Sequence, residues 1–146
     1  MSYWDTSALA KLYVPEPDSA TYQQQAIRPG SALVTGRLGC WELRRVVLGK
    51  EAAAILRPGD AETVWRAFND DVRAKRLKVI ETDATIEVAF NQIMERCYRR
   101  TPPLFLRTLD AIHLASARVA GETEIVATDK RLRETAVLLG FTLFPA

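Results

Sequence analysis

Apolar positions in this chain recur at two spacings, and the alternation between them predicts the fold. Ser2-Tyr3-Trp4 reads as a short apolar strand that ends at Asp5. Ala8, Leu9, Leu12 and Tyr13 then recur at helical spacing until Pro15 and Pro17 stop the pattern. Asp18 to Ile27 reads as a second helix closed by Arg28-Pro29-Gly30, and Ala32-Leu33-Val34 as a buried strand. Thr35 is placed to cap a helix carrying Leu38, Trp41, Glu42 and Val46. After the break at Arg57-Pro58-Gly59, Asp60 is placed to cap a helix through Trp65, Phe68 and Val72.

The second half repeats the alternation. A strand over Leu77 to Ile80 precedes Asp83 and a long helix with Ile86, Ala89, Phe90, Ile93 and Cys97. Arg99 to Phe105, with two prolines, is a loop; Thr108 to Ala120 is helical and ends at Gly121. Ile125 to Thr128 is a strand, Lys130 to Leu139 a helix stopped by Gly140, and Thr142-Leu143-Phe144 a last strand. Strands alternating with helices predict an α/β domain with a mostly parallel sheet covered on both faces. No repeat or low-complexity segment divides residues 1–146, so one domain is expected.

Composition adds exclusions. An apolar share of 48% and a charged share of 26% suit a globular domain and argue against disorder. With 20 Lys and Arg against 18 Asp and Glu, net charge neither requires nor forbids nucleic acid. No run of 18 apolar residues exists for a membrane span, and Asp5 and Lys11 interrupt any leader-like stretch, so a cytoplasmic protein is expected. Cys40 and Cys97 read as reduced core thiols. Together with the single His113 they cannot form a four-ligand zinc site, so any metal must be a hard, oxygen-seeking one.

Four acids are the candidate chemistry. Ligands in open parallel sheets bind outside the carboxyl ends of the strands, and Asp5 and Asp129 each follow a strand directly. Asp110 falls in the first turn of its helix, and Glu42 about two turns into the helix after the second strand. Each has a simpler explanation: Asp5 and Asp129 as helix caps, Asp110 as a dipole partner, Glu42 as a solvated side chain. Capping does not explain why Glu42 stands beside Trp41 and Leu43 in an apolar turn. Clustered carboxylates repel unless a cation neutralises them, and Mg²⁺, or alternatively Mn²⁺, is the natural partner. Ions so held activate water and stabilise charge on a phosphodiester without a nucleophilic side chain.

These residues, in order, resemble the PIN-domain nucleases, and specifically the VapC-type toxins of prokaryotic toxin–antitoxin pairs. Asp5-Thr6-Ser7-Ala8-Leu9-Ala10-Lys11-Leu12-Tyr13, followed by Glu16, is similar to the family's opening motif. Val34-Thr35 with Trp41-Glu42-Leu43-Arg44-Arg45 resembles its second motif, Leu109 to Ala115 its third, and Ala127 to Leu132 its fourth. Gly36 and Gly39 depart from it, standing where bulkier or hydroxyl residues are expected. The resemblance implies a three-layer PIN-like, Rossmann-like fold and a metal site built by Asp5, Glu42, Asp110 and Asp129. Thr6, Ser7 and Thr128 are then candidates to orient the carboxylates, with helix capping as the alternative. It also implies a Mg²⁺-dependent endoribonuclease acting on tRNA or rRNA, a homodimer, and a cognate VapB-type antitoxin reaching the active-site groove.

His113, flanked by Ile112 and Leu114, reads first as a packed or hydrogen-bonded histidine and only second as a base. Among scattered basic residues, Lys130 and Arg131 stand out for RNA contact because they adjoin Asp129. Trp65, Phe68 and Val72, with Trp41 on the preceding helix, read as core, or as an antitoxin or dimer face wherever exposed. A phosphatase of the haloacid dehalogenase type needs an Asp two positions after the first, where Ser7 stands. The remaining alternatives are a PIN nuclease of RNA processing without an antitoxin, and a non-catalytic α/β binding module.

Overall fold

The computed structural model describes residues 1–146 as five strands and seven helices. In chain order these are β1 (Ser2–Trp4), α1 (Thr6–Tyr13), α2 (Ser19–Ala26), β2 (Leu33–Gly36), α3 (Arg37–Ala52) and α4 (Asp60–Arg73). There follow β3 (Leu77–Ile80), α5 (Ala84–Tyr98), α6 (Thr108–Val119), β4 (Glu124–Val126), α7 (Lys130–Leu138) and β5 (Thr142–Phe144). All pairings are parallel, in the order β3-β2-β1-β4-β5. The chain winds outward from β1 in one direction and then, from β4, in the other. A crevice therefore opens between the carboxyl ends of β1 and β4, where the winding reverses.

The three layers follow from strand alternation. Successive side chains on a strand face opposite sides, so Tyr3 and Trp4 enter different cores. Tyr3 joins Val34, Ile86, Ile93, Leu114, Ile125 and Leu132 beneath α5, α6 and α7. Trp4 joins Leu9, Leu43, Val47, Phe68 and Val126 beneath α1, α3 and α4. Side chains of this size contribute roughly 1.5–3 kcal/mol each on full burial, so both faces hold the sheet. Cys40 and Cys97 are buried free thiols, one in each core.

Several sequence expectations change at element ends. Thr35 does not cap α3: it is the penultimate residue of β2, and its hydroxyl donates to the Trp4 carbonyl at 2.9 Å. Gly36 takes the cap position instead, without a side-chain bond. Asp60 is the first residue of α4, not its cap, and its carboxylate accepts the Arg57 amide at 3.0 Å. Phe68 is core and Trp65 stacks on it, but Trp41 is 61% exposed because it lies on the outer face of α3. Asp83 caps α5 as the sequence predicts, accepting the Thr85 and Ile86 amides.

Candidate active site

The residue directly after β1 is delivered to the crevice by the strand itself. Asp5 is 4% exposed, and its amide donates to the Val126 carbonyl at 3.0 Å, clasping β1 to β4. Its carboxylate caps α1 by accepting the Ala8 amide at 2.8 Å, and it accepts the Ser7 hydroxyl at 2.8 Å. Asp129 does the same for α7, accepting the Leu132 amide at 2.9 Å. Capping and a place in the crevice are therefore compatible: each Asp does both. Asp110, buried in the first turn of α6, and Glu42, half-buried on α3, complete the set. All four acids line one cavity of about 360 Å³, with Thr6, Ser7, Lys11, Glu16, Arg45, Arg107, His113 and Thr128.

The electrostatics are uneven. Burial pushes the Asp5 carboxyl above the ordinary carboxylate range, against the Ala8 amide, the Ser7 hydroxyl and His113, while nearby Glu42 adds repulsion. Burial would also raise Glu42, but the His113 hydrogen bond, the Thr6 hydroxyl and Arg45 together hold it below its usual value. Arg107 donates to Asp110 from Nε at 2.7 Å and from Nη2 at 3.2 Å, and also to Asp129 from Nη2 at 3.1 Å. Lys11 is bound to Glu16 and Asp18, each at 2.6 Å. Five carboxylates thus line the cavity against Lys11, Arg45 and Arg107, an excess of negative charge that attracts a cation.

A family model described as PIN domain matches residues 2–138. The chain belongs to the PIN-domain family. It is of the VapC type, being 34% identical over 147 residues to Ribonuclease VapC47 of Mycobacterium tuberculosis, across 97% of this chain and 93% of that protein. The crystal structure of Mycobacterium tuberculosis VapC20, a Sarcin-Ricin loop cleaving toxin, superposes with a TM-score of 0.67 at 17% identity, covering 97% of both chains. FitAcB from Neisseria gonorrhoeae gives 0.65 at 16% identity, covering 99% of this chain and 96% of that one. VapBC2 from Rickettsia felis, bound to a fragment of its promoter DNA, gives 0.65 at 12%, covering 98% and 97%. At those identities the structures establish the three-layer PIN fold.

Within this PIN domain the expected supporting residues take distinct positions. Ser7 bonds both oxygens of Asp5, and Thr6 lies 3.5 Å from His113 Nε2. Thr128 acts through its backbone, its amide donating to Ser7 Oγ at 3.3 Å. Lys130 and Arg131 lie outside this cavity, in a neighbouring surface depression shared with Arg107 and Asp129. Sequence reasoning passed over Arg107 and quoted Lys11 only as part of the opening motif, without a role; both line the cavity and pair with its acids. Arg107 sits three residues before Asp110, the helical spacing of an ion pair, and that spacing was the available signal.

The donor set suits a hard divalent cation. The carboxylates supply oxygen, and both thiols lie elsewhere in the cores. Asp5, raised by burial, is a carboxylate that a cation would stabilise in its charged form. Asp110 and Asp129 already share a cation, the Arg107 guanidinium. No three acidic, imidazole or thiol groups converge here as a finished ligand cluster, and Arg107 lies across two of the four acids.

Proposed function

We propose that this chain is a Mg²⁺-dependent endoribonuclease, the toxin of a VapBC-type pair, that hydrolyses phosphodiester bonds of tRNA or rRNA in the cytoplasm. The observation that carries the reading is the meeting of Asp5, Glu42, Asp110 and Asp129 in one cavity at the reversal of the sheet. Asp5, Asp110 and Asp129 would hold the ion, with Mn²⁺ as a substitute, and Glu42 would act beside them as ligand or through bound water. Such an ion supplies Lewis-acid stabilisation of the phosphodiester and makes water a competent nucleophile at neutral pH.

The chain's own residues do the rest. Ser7 fixes the rotation of the Asp5 carboxylate, as the Ala8 amide does from the helix end. Arg107, more than half exposed, is free to exchange Asp110 and Asp129 for a substrate phosphate when a metal ion neutralises them. Lys130 and Arg131, both exposed beside Asp129, are placed for the flanking RNA backbone. A VapB-type antitoxin would block the cavity, and a homodimer is the assembly expected for the toxin. The solved VapBC2 complex of Rickettsia felis, similar in fold, supports a paired antitoxin.

RNA cleavage with and without Mg²⁺ tests the reading, comparing the chain with Asp5→Ala and Asp110→Ala. Equal cleavage by all three would end the metallonuclease assignment. Expression of the chain should arrest growth, and expression of Asp5→Ala should not; a harmless wild type removes the toxin role.

A further inference from the structure

His113 is the chain's single histidine and is 3% exposed, yet neither of its ring nitrogens is left to solvent. Nδ1 lies 2.8 Å from the Tyr3 hydroxyl and Nε2 lies 2.6 Å from Glu42 Oε1. The direction of each bond turns on where the Tyr3 proton goes. The Gly36 amide can only donate, and it donates to the Tyr3 hydroxyl oxygen at 3.0 Å. The Tyr3 proton is then free to go to Nδ1, and in that arrangement Nδ1 is the acceptor. A neutral ring that accepts at Nδ1 carries its proton on Nε2, and that proton points at Glu42.

We propose that His113 is a positioning residue that aims the Glu42 carboxylate into the acidic cavity, and that Tyr3 acts through it by selecting the Nε2–H tautomer. The terminal torsion of a glutamate is broad, so a half-buried Glu42 without a partner samples many carboxylate orientations. Tying Oε1 to a ring that is itself held from β1 removes that freedom. The two glycines that depart from the resembled pattern belong to the same arrangement. A Cβ on Gly36 would lie 2.8 Å from the Tyr3 hydroxyl oxygen and 3.0 Å from Ser116 Oγ. A Cβ on Gly39 would lie 2.5 Å from Thr35 Oγ1 and 3.6 Å from His113 Cε1. Their missing side chains let the start of α3 close onto the relay and carry Glu42, one turn later, to His113.

The inference rests on the nuclease reading for its consequence, but its geometry is measurable without activity. With a single histidine, a ¹⁵N-labelled sample shows one imidazole, and its two-bond ¹H–¹⁵N correlations report the tautomer directly. The expected spectrum is Nε2–H in the metal-free wild type, with loss of that preference in Tyr3→Phe; a wild-type Nδ1–H ring overturns the proposal. For function, His113→Gln carries an amide N–H to the Nε2 position, whereas His113→Asn reaches only the Nδ1 position. His113→Asn should weaken Mn²⁺ binding, followed by electron paramagnetic resonance, and lower kcat, each by about 10–100-fold. KM for RNA should stay near the wild-type value, and His113→Gln should recover part of both losses. Folded His113→Asn with wild-type Mn²⁺ affinity and kcat overturns the proposal, as does His113→Gln no better than a crippled His113→Asn. A wild type with the Nε2–H ring but no RNA cleavage would instead sink the nuclease reading and leave the relay standing.

Discussion

Arg107 Nε lies 2.7 Å from Asp110 Oδ2, and the same guanidinium reaches Asp129 Oδ2 at 3.1 Å. A single positive charge of the protein itself is therefore shared between two of the four acids. Removing it leaves Asp110 and Asp129 facing one another without a cation, and carboxylates so placed repel. Arg107→Ala should accordingly melt earlier than wild type in chelator and gain more from Mg²⁺, with several-fold tighter apparent Mg²⁺ binding. Thermal melts across a Mg²⁺ titration check this. An unchanged Mg²⁺ increment would mean that Arg107 and the ion do not compete.

Asp5 trades stability for its place in the cavity. Its folded-state carboxyl is raised by burial, so the folded chain holds the proton more tightly than the unfolded chain. Stability is then lost as pH climbs from about 4, the unfolded value, through the folded one. Asn keeps the shape and the capping oxygen without the charge. Asp5→Asn should thus raise the metal-free Tm by a few degrees at neutral pH, with the gap closing in acid, while abolishing cleavage. Melts in chelator from acid to neutral pH measure it. A variant that melts lower at neutral pH would place the Ser7 and Ala8 bonds to a charged carboxylate above the burial cost.

Two glycines of one helix region should respond in opposite ways. Gly36→Ala drives a Cβ to 2.8 Å from the Tyr3 hydroxyl oxygen and should cost about 1–3 kcal/mol while disturbing the His113 relay. Gly49, inside α3, has nothing within 4 Å of such a Cβ, so Gly49→Ala should stabilise by roughly 0.5–1 kcal/mol. Denaturant unfolding of the pair distinguishes close approach from helix propensity. Similar effects at both positions would discard the packing argument for Gly36.

Ser7 donates to both oxygens of Asp5 and also receives the Thr128 amide, linking the β1 and β4 ends of the cavity. Ser7→Ala removes the hydroxyl with little change in volume. It should lower Mg²⁺ affinity and RNA cleavage by about 10–100-fold. Calorimetric Mg²⁺ titration together with a cleavage assay is the check. Wild-type values for both would reduce Ser7 to a helix-start residue.

Local sequence determined the element order, the parallel α/β class and the positions of Asp5 and Asp129. Asp5 directly follows β1 and caps α1, so the backbone alone places it at the carboxyl edge. Asp129 lies three residues past β4, not directly after it as the sequence suggests, and reaches the same edge as the cap of α7. The capping signal and the site signal were the same residues, because a helix N-terminus at a strand end is both a cap and the wall of the crevice. Only the tertiary structure decided the rest. Arg107 reaches Asp129 across 22 positions, His113 reaches Glu42 across 71 and Tyr3 across 110, and no periodicity encodes such pairs. Trp41, on the outer face of α3, stands exposed for the same reason: helical spacing specifies a face, but packing chooses which face is turned inward.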